Sequence, residues 1–349
     1  MSTLLVGCGY WGANWAKALS GIGQLGAICD ARPQIQADLK AKYPQAALYT
    51  ELADALQHPG IEAVIVATPV ITHCEVARLC LLAGKHVLVE KPLTLDPEES
   101  EFLVKLAEGG GLILAVGHLL LYHPALIHLK TMMDAGALGD ILSVQSTRVN
   151  LGKVRNEENV WWSLAPHDLS IVSMLLGEPL HLQSATGMTL LNRPGLEDTV
   201  QVSLGTPSGR SASIQVSWLA PVKKHETVVI GSLGMALFED TLPAGQKLQV
   251  LDYSLDRAGD TVNDVQRGAT QVINYAQPPA DLLTMQARAF IAATRGQRAS
   301  LPNDGRNGLQ VVQLLAEAQA RITQASALLN QPALASQPGN PAPGVFGVK

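Results

Sequence analysis

The sequence has 349 residues, which is enough for two domains with substantial hydrophobic cores. A hydrophobic content of 47% with 16% charged residues is typical of a globular protein, and the net charge of −5 argues against a general affinity for nucleic acid or anionic membranes. The longest apolar window, residues 112–129, is interrupted by glycine, proline and histidine, so we expect no membrane-spanning segment.

The four cysteines fall within the first 80 residues and show no C-x-x-C spacing. We therefore expect neither structural zinc nor a disulfide framework, and we predict no metal site. The N-terminal stretch lacks the basic region of a signal peptide, and glycines interrupt its apolar run. These features predict reduced thiols in a cytoplasmic protein.

A predicted strand at residues 2–6 leads into the pattern G-x-G-x-x-G, which is followed by a predicted helix at residues 13–20. Glycines in this position allow a tight turn and a close approach of the backbone to a pyrophosphate, which the helix N-terminus stabilises. The pattern therefore predicts a dinucleotide site. The glycine loop contributes Gly7, Gly9, Tyr10, Trp11 and Gly12.

A second predicted strand, residues 25–29, ends at Asp30. A carboxylate at this position accepts hydrogen bonds from the adenosine ribose and repels a 2′-phosphate, so it favours NAD over NADP. Arg32 lies two residues later and could hold that phosphate, which keeps NADP as the lesser alternative.

Predicted strands and helices alternate with short connections up to about residue 120. The further strands are 63–67, 87–89 and 112–116, and the helices are 34–42, 51–57, 74–83 and 97–107. Continuous apolar strands that alternate with helices are typical of a doubly wound parallel sheet. We predict a Rossmann nucleotide-binding domain over residues 1–120.

The strand at 87–89 ends abruptly in Glu90-Lys91-Pro92. Proline restricts the residue before it, so Lys91 is held in an extended or turn conformation at the carboxyl end of a strand, where open α/β sheets bind ligands. A lysine desolvated there can exchange a proton, whereas a solvated lysine would be an ordinary loop residue.

After residue 120 the pattern changes. From about residue 180, apolar residues alternate with polar ones, which predicts a large, mostly antiparallel open sheet. Residues 141–151 are strand-like, residues 150–159 form a polar loop, and helices are predicted at 124–135, 166–177, 281–295 and 308–326. We predict an α+β substrate and oligomerisation domain over 121–330, and a disordered proline-containing tail over 331–349.

These features together resemble the Gfo/Idh/MocA oxidoreductases, which act mostly on sugars, inositols and nucleotide sugars. The resemblance covers residues 4–327, and its anchors are the glycine loop, Ala67-Thr68-Pro69 with His73, Glu90-Lys91-Pro92, Gly117-His118 and Ala165-Pro166-His167-Asp168. It implies that Lys91 and His167 serve hydride transfer in a cleft between the domains. It also implies a homodimer or homotetramer formed through the open sheet, and it adds to the cofactor site Thr68, Pro69, His73, Glu90, Lys91, Gly117 and His118.

The sequence departs from the family pattern at two places. Ser163 stands four residues before His167, where many family members carry an aspartate, and residues 119–122 lack an arginine that many relatives have. The run 159–170 resembles the branch that acts on UDP-linked N-acetylhexosamines and their uronic acids. Only one of the adjacent tryptophans is expected to point inward. The substrate-side candidates are Tyr122, His123, Arg155, Asn159, Trp161, Trp162, Ser163 and His167.

The sequence thus predicts an NAD-dependent dehydrogenase that reversibly oxidises a ring hydroxyl of a sugar or nucleotide sugar. Lys91 would act as acid and base, with His167 assisting. Two alternatives stay open at this point: a glycosidase that oxidises transiently and consumes no net NAD, and a non-catalytic NAD-binding regulator. Ser163 keeps the regulator in consideration, because a neutral hydroxyl cannot polarise a proton-transfer group as a carboxylate does.

Overall fold

The structure, a computed structural model, describes residues 2–191, 193, 195–258, 261–277, 280–297 and 301–329. It contains a parallel sheet and a larger, mostly antiparallel sheet, both covered by helices, which confirms the predicted fold class. The predicted tail at 331–349 lies outside the described residues.

The first sheet has six parallel strands in the order β3-β2-β1-β4-β5-β6. The strands are β1 Ser2–Val6, β2 Leu25–Cys29, β3 Ala47–Tyr49, β4 Ile61–Val66, β5 His86–Val89 and β6 Leu114–Val116. The helices are α1 Tyr10–Gly21, α2 Gln36–Lys42, α3 Leu52–Leu56, α4 His73–Leu82 and α5 Pro97–Gly109. The strand order reverses between β1 and β4, and ligands bind at such switch points.

The second sheet has eight strands in the order β14-β13-β12-β11-β7-β10-β9-β8, and only β7 and β10 are parallel neighbours among them. The strands are β7 Ile141–Leu151, β8 His181–Met188, β9 Thr199–Gly205, β10 Ser211–Ser217, β11 Leu219–Gly231, β12 Gly234–Glu239, β13 Leu248–Ala258 and β14 Thr261–Val272. The helices are α6 Pro124–Asp134, α7 Val160–Leu176, α8 Leu282–Thr294 and α9 Gly305–Leu329. Short 3₁₀ turns occur at Pro33–Ile35, Val70–Thr72, Leu119–Tyr122 and Ala244–Gln246.

Helix α7 begins earlier than the sequence predicts. Its first turn contains both tryptophans, which precede the predicted helix start at residue 166, and Pro166 lies inside the helix rather than at its start. The physical reason is the cap: the Asn159 side chain accepts a hydrogen bond from the Trp162 N–H at 3.1 Å. Strands β3, β13 and β14 were also not predicted. The first is only three residues long, and β14 is polar and exposed along its whole length.

The last two helices connect the halves of the molecule. Phe290 and Ala287 of α8 are fully buried in one cluster with Trp15 of α1 and Leu5 of β1. Helix α9 contributes Val312 to the core of the first sheet, while other residues of the same helix pack in the core of the second. The chain therefore returns to the nucleotide-binding half after completing the second sheet.

Candidate active site

The glycine loop packs closely against the ends of the neighbouring strands. Gly7 has φ of +85°, and a Cβ atom there would lie 2.8 Å from the Ala67 carbonyl oxygen. A Cβ on Gly12 would lie 2.0 Å from the Gly7 carbonyl oxygen. A Cβ on Gly9 would meet no described atom within 4 Å. Two glycines thus permit the tight turn, and the third borders open space that a dinucleotide can occupy.

The N-terminus of α1 faces this open space. Gly9 is its N-cap, its first turn contains no acidic residue, and no side chain in the described part caps it. Its free N–H groups therefore suit a pyrophosphate. Tyr10 and Trp11 are exposed beside the loop. These residues fit a bound dinucleotide.

The Asp30 carboxylate follows β2 and is already fully paired. It accepts hydrogen bonds from the Cys8 N–H at 2.8 Å, from the Arg32 N–H at 3.0 Å, and from Arg32 Nε and Nη2, both at 2.8 Å. The Arg32 guanidinium, with the two backbone N–H groups, holds the pKa of Asp30 below its usual range against the effect of burial. Asp30 is buried, whereas 48% of the Arg32 side chain is exposed. A ribose could therefore displace the arginine into solvent.

His73 joins two turns of the cofactor site. It is buried, and its Nδ1 lies 2.9 Å from the Pro92 carbonyl oxygen while its Nε2 lies 3.1 Å from that of Thr68. The ring thus connects the turn after β4, which contains Thr68 and Pro69, to the turn after β5. Both partners are carbonyl oxygens, and burial lowers the pKa of His73, so the neutral ring donates its one N–H to one oxygen while the other nitrogen lies close to the second. His73 thus links the two turns; its predicted direct contact with the cofactor stays a prediction.

Glu90 anchors the turn that carries Lys91. Its buried carboxylate accepts a hydrogen bond from Trp15 Nε1 at 2.6 Å, and the Lys91 N–H donates to its second oxygen at 3.1 Å. Burial raises the pKa of Glu90, opposed by the Trp15 hydrogen bond and the charge of Lys91. A Cβ on Gly117 would lie 2.8 Å from that second oxygen, so only glycine fits there.

Lys91 reaches across the cleft to the second half of the molecule. Its Nζ donates to the backbone carbonyl of Ser163 at 2.9 Å, and Ser163 lies one helical turn before His167 on α7. Burial lowers the pKa of Lys91, partly opposed by the negative charges of Glu158 and Glu90. The geometry thus brings the two predicted catalytic residues near each other where the two halves meet, with a lysine suited to exchange protons.

Two histidines near Lys91, the buried His118 and the partly buried His167, have buried ring nitrogens that lack a partner in the described part of the chain. Both nitrogens of His118, which follows β6, and Nδ1 of His167 lack a hydrogen-bond partner within the described residues. Burial, followed by the charge of Lys91, lowers the pKa of His118 to about 3 and lowers that of His167 well below its usual value. Buried polar groups are normally paired, so these nitrogens indicate where a ligand would bind.

Arg148 and His225 are cleft residues that the sequence analysis did not identify. Arg148 Nε donates to the buried Asp168 carboxylate at 2.9 Å, and Ser146 Oγ donates to its other oxygen at 2.7 Å. His225 of β11 lies opposite Arg148 of β7 in the antiparallel register of the two strands. The available signal was an arginine at a buried position of a predicted strand, because charged residues are seldom buried without a purpose.

Several predicted substrate residues have other contacts. The Tyr122 hydroxyl donates to Asn303 Oδ1 at 2.6 Å, and His123 Nδ1 accepts from the Ala125 N–H at the start of α6. Asn159 caps α7, and Trp161 is fully buried with Nε1 donating to the Leu315 carbonyl. These four residues have structural roles, which leaves a substrate contact by any of them a prediction without support. Arg155 pairs with Glu158 near Lys91.

Trp162 differs from its neighbour. It is partly exposed and packs against the apolar clusters of both sheets, so it lies at the junction of the two halves. The expectation that the two tryptophans point differently is thereby confirmed.

Two family models match the chain in succession. The model of an oxidoreductase family with an NAD-binding Rossmann fold matches residues 1–118, and that of the GFO/IDH/MocA C-terminal domain matches residues 126–237. The chain belongs to the Gfo/Idh/MocA family. Its nucleotide-binding half is accordingly the NAD-binding Rossmann domain of an oxidoreductase family.

Named relatives of this Gfo/Idh/MocA protein include sugar dehydrogenases. It is 33% identical to UDP-N-acetylglucosamine 3-dehydrogenase of Acidithiobacillus ferrooxidans over 53% of this chain and 57% of that enzyme. It is 28% identical to inositol 2-dehydrogenase 2 of Saccharopolyspora erythraea over 62% of this chain and 66% of that enzyme. The sequence alignments therefore span less than two thirds of either enzyme.

Solved structures extend the similarity in fold over nearly the whole chain. A structure of the same A. ferrooxidans enzyme superposes with a TM-score of 0.78 at 24% identity, covering 93% of this chain and 98% of that one. At this identity the superposition shows the fold alone.

Proposed function

We propose that the protein is an NAD-dependent dehydrogenase that reversibly oxidises a ring hydroxyl of a sugar or nucleotide sugar. The observation that carries the proposal is the contact of Lys91 with Ser163, one helical turn before His167. This contact supports the assignment of an ionisable amine from the nucleotide-binding half and an imidazole from the second half to one site. The named relatives that oxidise inositols and UDP-N-acetylglucosamine support the choice of substrate class.

Bound NAD supplies the hydride acceptor. The residues of this chain handle the proton that leaves the hydroxyl group. Because burial lowers the pKa of Lys91, a larger fraction of its amine is neutral near pH 7 than for a solvated lysine, so Lys91 can accept that proton. His167, which is neutral for the same reason, can donate a hydrogen bond to the developing carbonyl oxygen without protonating it.

The contact of Ser163 with Lys91 supports these roles for Lys91 and His167. The Ser163 backbone carbonyl, rather than a side-chain carboxylate, holds the Lys91 ammonium. A neutral acceptor stabilises the ammonium less than a carboxylate would, which favours the proton-free amine. The position thus remains compatible with catalysis, and the dehydrogenase is preferred over the redox-neutral glycosidase and the regulator.

Asp30 supports NAD over NADP, because its carboxylate can accept hydrogen bonds from the ribose and repels a 2′-phosphate. We propose the division into residues 1–120 and 121–330 as functional halves, and a cytoplasmic location, which the four free cysteine thiols support. No helix in the described part of the chain is long and apolar enough to cross a membrane.

We also propose that the protein forms a homodimer or homotetramer through the second sheet. Its strands expose several large apolar side chains, of which Leu142, Leu151 and Val222 are between 51% and 76% exposed. Strand β14 forms an edge of this sheet and is exposed throughout. Long exposed edges and apolar faces of this kind are usually covered in the assembled protein.

NADH formation tests the proposal. Purified protein is incubated with NAD or NADP and a panel of UDP-sugars, UDP-uronic acids, free hexoses and inositols, and the absorbance of NADH or NADPH is followed. We expect NADH from one substrate class. NAD binding without turnover of any panel member, or release of sugar without NADH, would reject the dehydrogenase in favour of the regulator or the glycosidase.

A further inference from the structure

Arg148 is a buried arginine whose hydrogen-bonding capacity is only partly used. Its side chain is 8% exposed, and Nε donates to Asp168. Its two terminal nitrogens form no hydrogen bond with any residue that the structure describes. An arginine can donate five hydrogen bonds, and its terminal pair matches the two oxygens of a carboxylate.

The residues around this arginine are mostly cationic or neutral. His225 lies directly opposite Arg148 in the antiparallel register, and His167 precedes Asp168 on the helix that covers this face of the sheet. The pKa of His167 is lowered by burial and by the charges of Lys91 and Arg148. That of His225 is lowered to about 4 by burial and by the charges of Arg148 and Lys223.

The acidic groups near Arg148 are already in use: Asp240, whose charge interacts with Arg148 and His225, pairs with Lys247 at 2.7 Å. Both oxygens of Asp168 are engaged, one by Arg148 and the other by Ser146. Ser163, on the same helix, offers Lys91 a carbonyl oxygen rather than a charge. A negative group from the substrate would therefore complete the pocket, because it would pair with the free end of the guanidinium and relieve the mutual repulsion of the cations.

We propose that Arg148, assisted by His225, binds a carboxylate on the ring of the substrate, so that the substrate class is an acidic sugar. This inference rests on the proposed dehydrogenase function. Arg148 is then a specificity-determining residue, and the Asp168–Ser146 pair positions its guanidinium.

Direct binding to the NADH-loaded protein tests the inference independently of turnover. Isothermal titration compares two pairs that differ only in the oxidation state of one ring substituent: glucose with glucuronate, and UDP-N-acetylglucosamine with its uronic acid. We expect the wild-type protein to bind the acid of at least one pair about 10- to 100-fold more tightly, as charge-assisted hydrogen bonds to a buried arginine predict. Arg148→Gln should reduce that ratio to about 1–3.

Two further variants separate recognition from general attraction. Ser146→Ala removes one of the two hydrogen bonds that hold Asp168, which positions the Arg148 guanidinium, so the acid-to-neutral ratio should fall, but by less than in Arg148→Gln. Lys223→Gln removes an exposed neighbouring cation and should change the ratio less than threefold, since solvent screens such charges. If Arg148→Gln fails to fold, His225→Gln keeps the Arg148–Asp168 pair and should lower the ratio about 3- to 10-fold.

The outcomes distinguish the two proposals. Tighter binding of the acid that depends on Arg148 supports the carboxylate site whether or not NADH is formed. Equal binding of acid and neutral sugar by the wild-type protein, or a preference that survives in both Arg148→Gln and His225→Gln, overturns it. NADH formation from only the neutral sugars would still support the dehydrogenase proposal. Binding of the acidic sugar without NADH formation would reject the dehydrogenase proposal but not the carboxylate site.

Discussion

The two ends of the cleft differ in how completely their polar groups are paired. At the nucleotide end, Asp30, His73 and Glu90 are buried, and their side chains all have hydrogen-bond partners. At the substrate end, both ring nitrogens of His118, one of His167 and the terminal nitrogens of Arg148 have none among the described residues. The nucleotide end is therefore preformed, and we propose that a ligand completes the substrate end.

At the nucleotide end, the largest effect is expected from Gly12→Ala. The added Cβ would lie 2.0 Å from the Gly7 carbonyl oxygen, so the loop backbone must move. We expect the free energy of unfolding to fall by about 3 kcal/mol and NAD binding to be lost. Urea unfolding and titration with NAD measure the two effects.

Gly9→Ala is the matched control for that variant. Because its Cβ meets no described atom within 4 Å, the free energy of unfolding should change by less than about 1 kcal/mol. NAD binding should nevertheless weaken by ~10-fold or more, since the methyl group occupies the space that the pyrophosphate approaches. Unimpaired NAD binding by Gly9→Ala would show that the pyrophosphate does not bind at this loop.

His118 offers a test of the unpaired end through the pH dependence of stability. In the folded protein its pKa is lowered to about 3, so the unfolded chain binds a proton near pH 6.5 that the folded protein excludes. Its contribution to stability is fully present above pH 6.5 and is lost as the pH falls towards 3. Between pH 6.5 and pH 4.5, the free energy of unfolding of His118→Phe should fall by roughly 2 kcal/mol less than that of the wild-type protein.

Chemical denaturation at a series of pH values measures this difference. The other histidines are common to both proteins and cancel in the comparison. If the unfolding free energies of wild type and variant changed in parallel with pH, His118 would be able to take up a proton in the folded state. That result would contradict its lowered pKa.

The smallest expected effect concerns Arg32, an exposed participant at the nucleotide end. Arg32→Ala frees the Asp30 carboxylate for the ribose, so the KM for NAD should change by less than about threefold, while any use of NADP should fall by about 10-fold. Steady-state kinetics with both cofactors measure the ratio. Arg78→Ala removes a guanidinium with the same two-bond geometry towards Glu75 and should leave the ratio unchanged.

The same division separates what the sequence could and could not predict. The nucleotide end arises from local patterns, because every strand of the first sheet except β3 is followed within two residues by a residue of the site, such as Asp30 after β2 or Glu90 after β5. The position of Lys91 at a strand end was predicted for the same reason. Local turn chemistry thus suffices for that end.

The substrate end depends on contacts between distant segments, which no local pattern encodes. The pairing of Arg148 with Asp168 and the register that places His225 beside them join β7, α7 and β11. Tyr122 was a plausible substrate residue by position, but its hydroxyl bonds to Asn303, 181 residues away. The cap at Asn159, which moved the start of α7, was detectable in the sequence because asparagine is a favoured N-cap.

The central claim is that Lys91 performs chemistry at the junction of a preformed cofactor site and an incomplete substrate site. The most direct test is a single-turnover measurement of NADH formation by NAD-loaded wild-type and Lys91→Ala proteins, with Lys105→Ala, an exposed lysine paired with Glu101, as control. We expect equal NAD binding in all three and hydride transfer slowed by ~10²-fold or more only in Lys91→Ala. Equal rates in wild type and Lys91→Ala would contradict the claim.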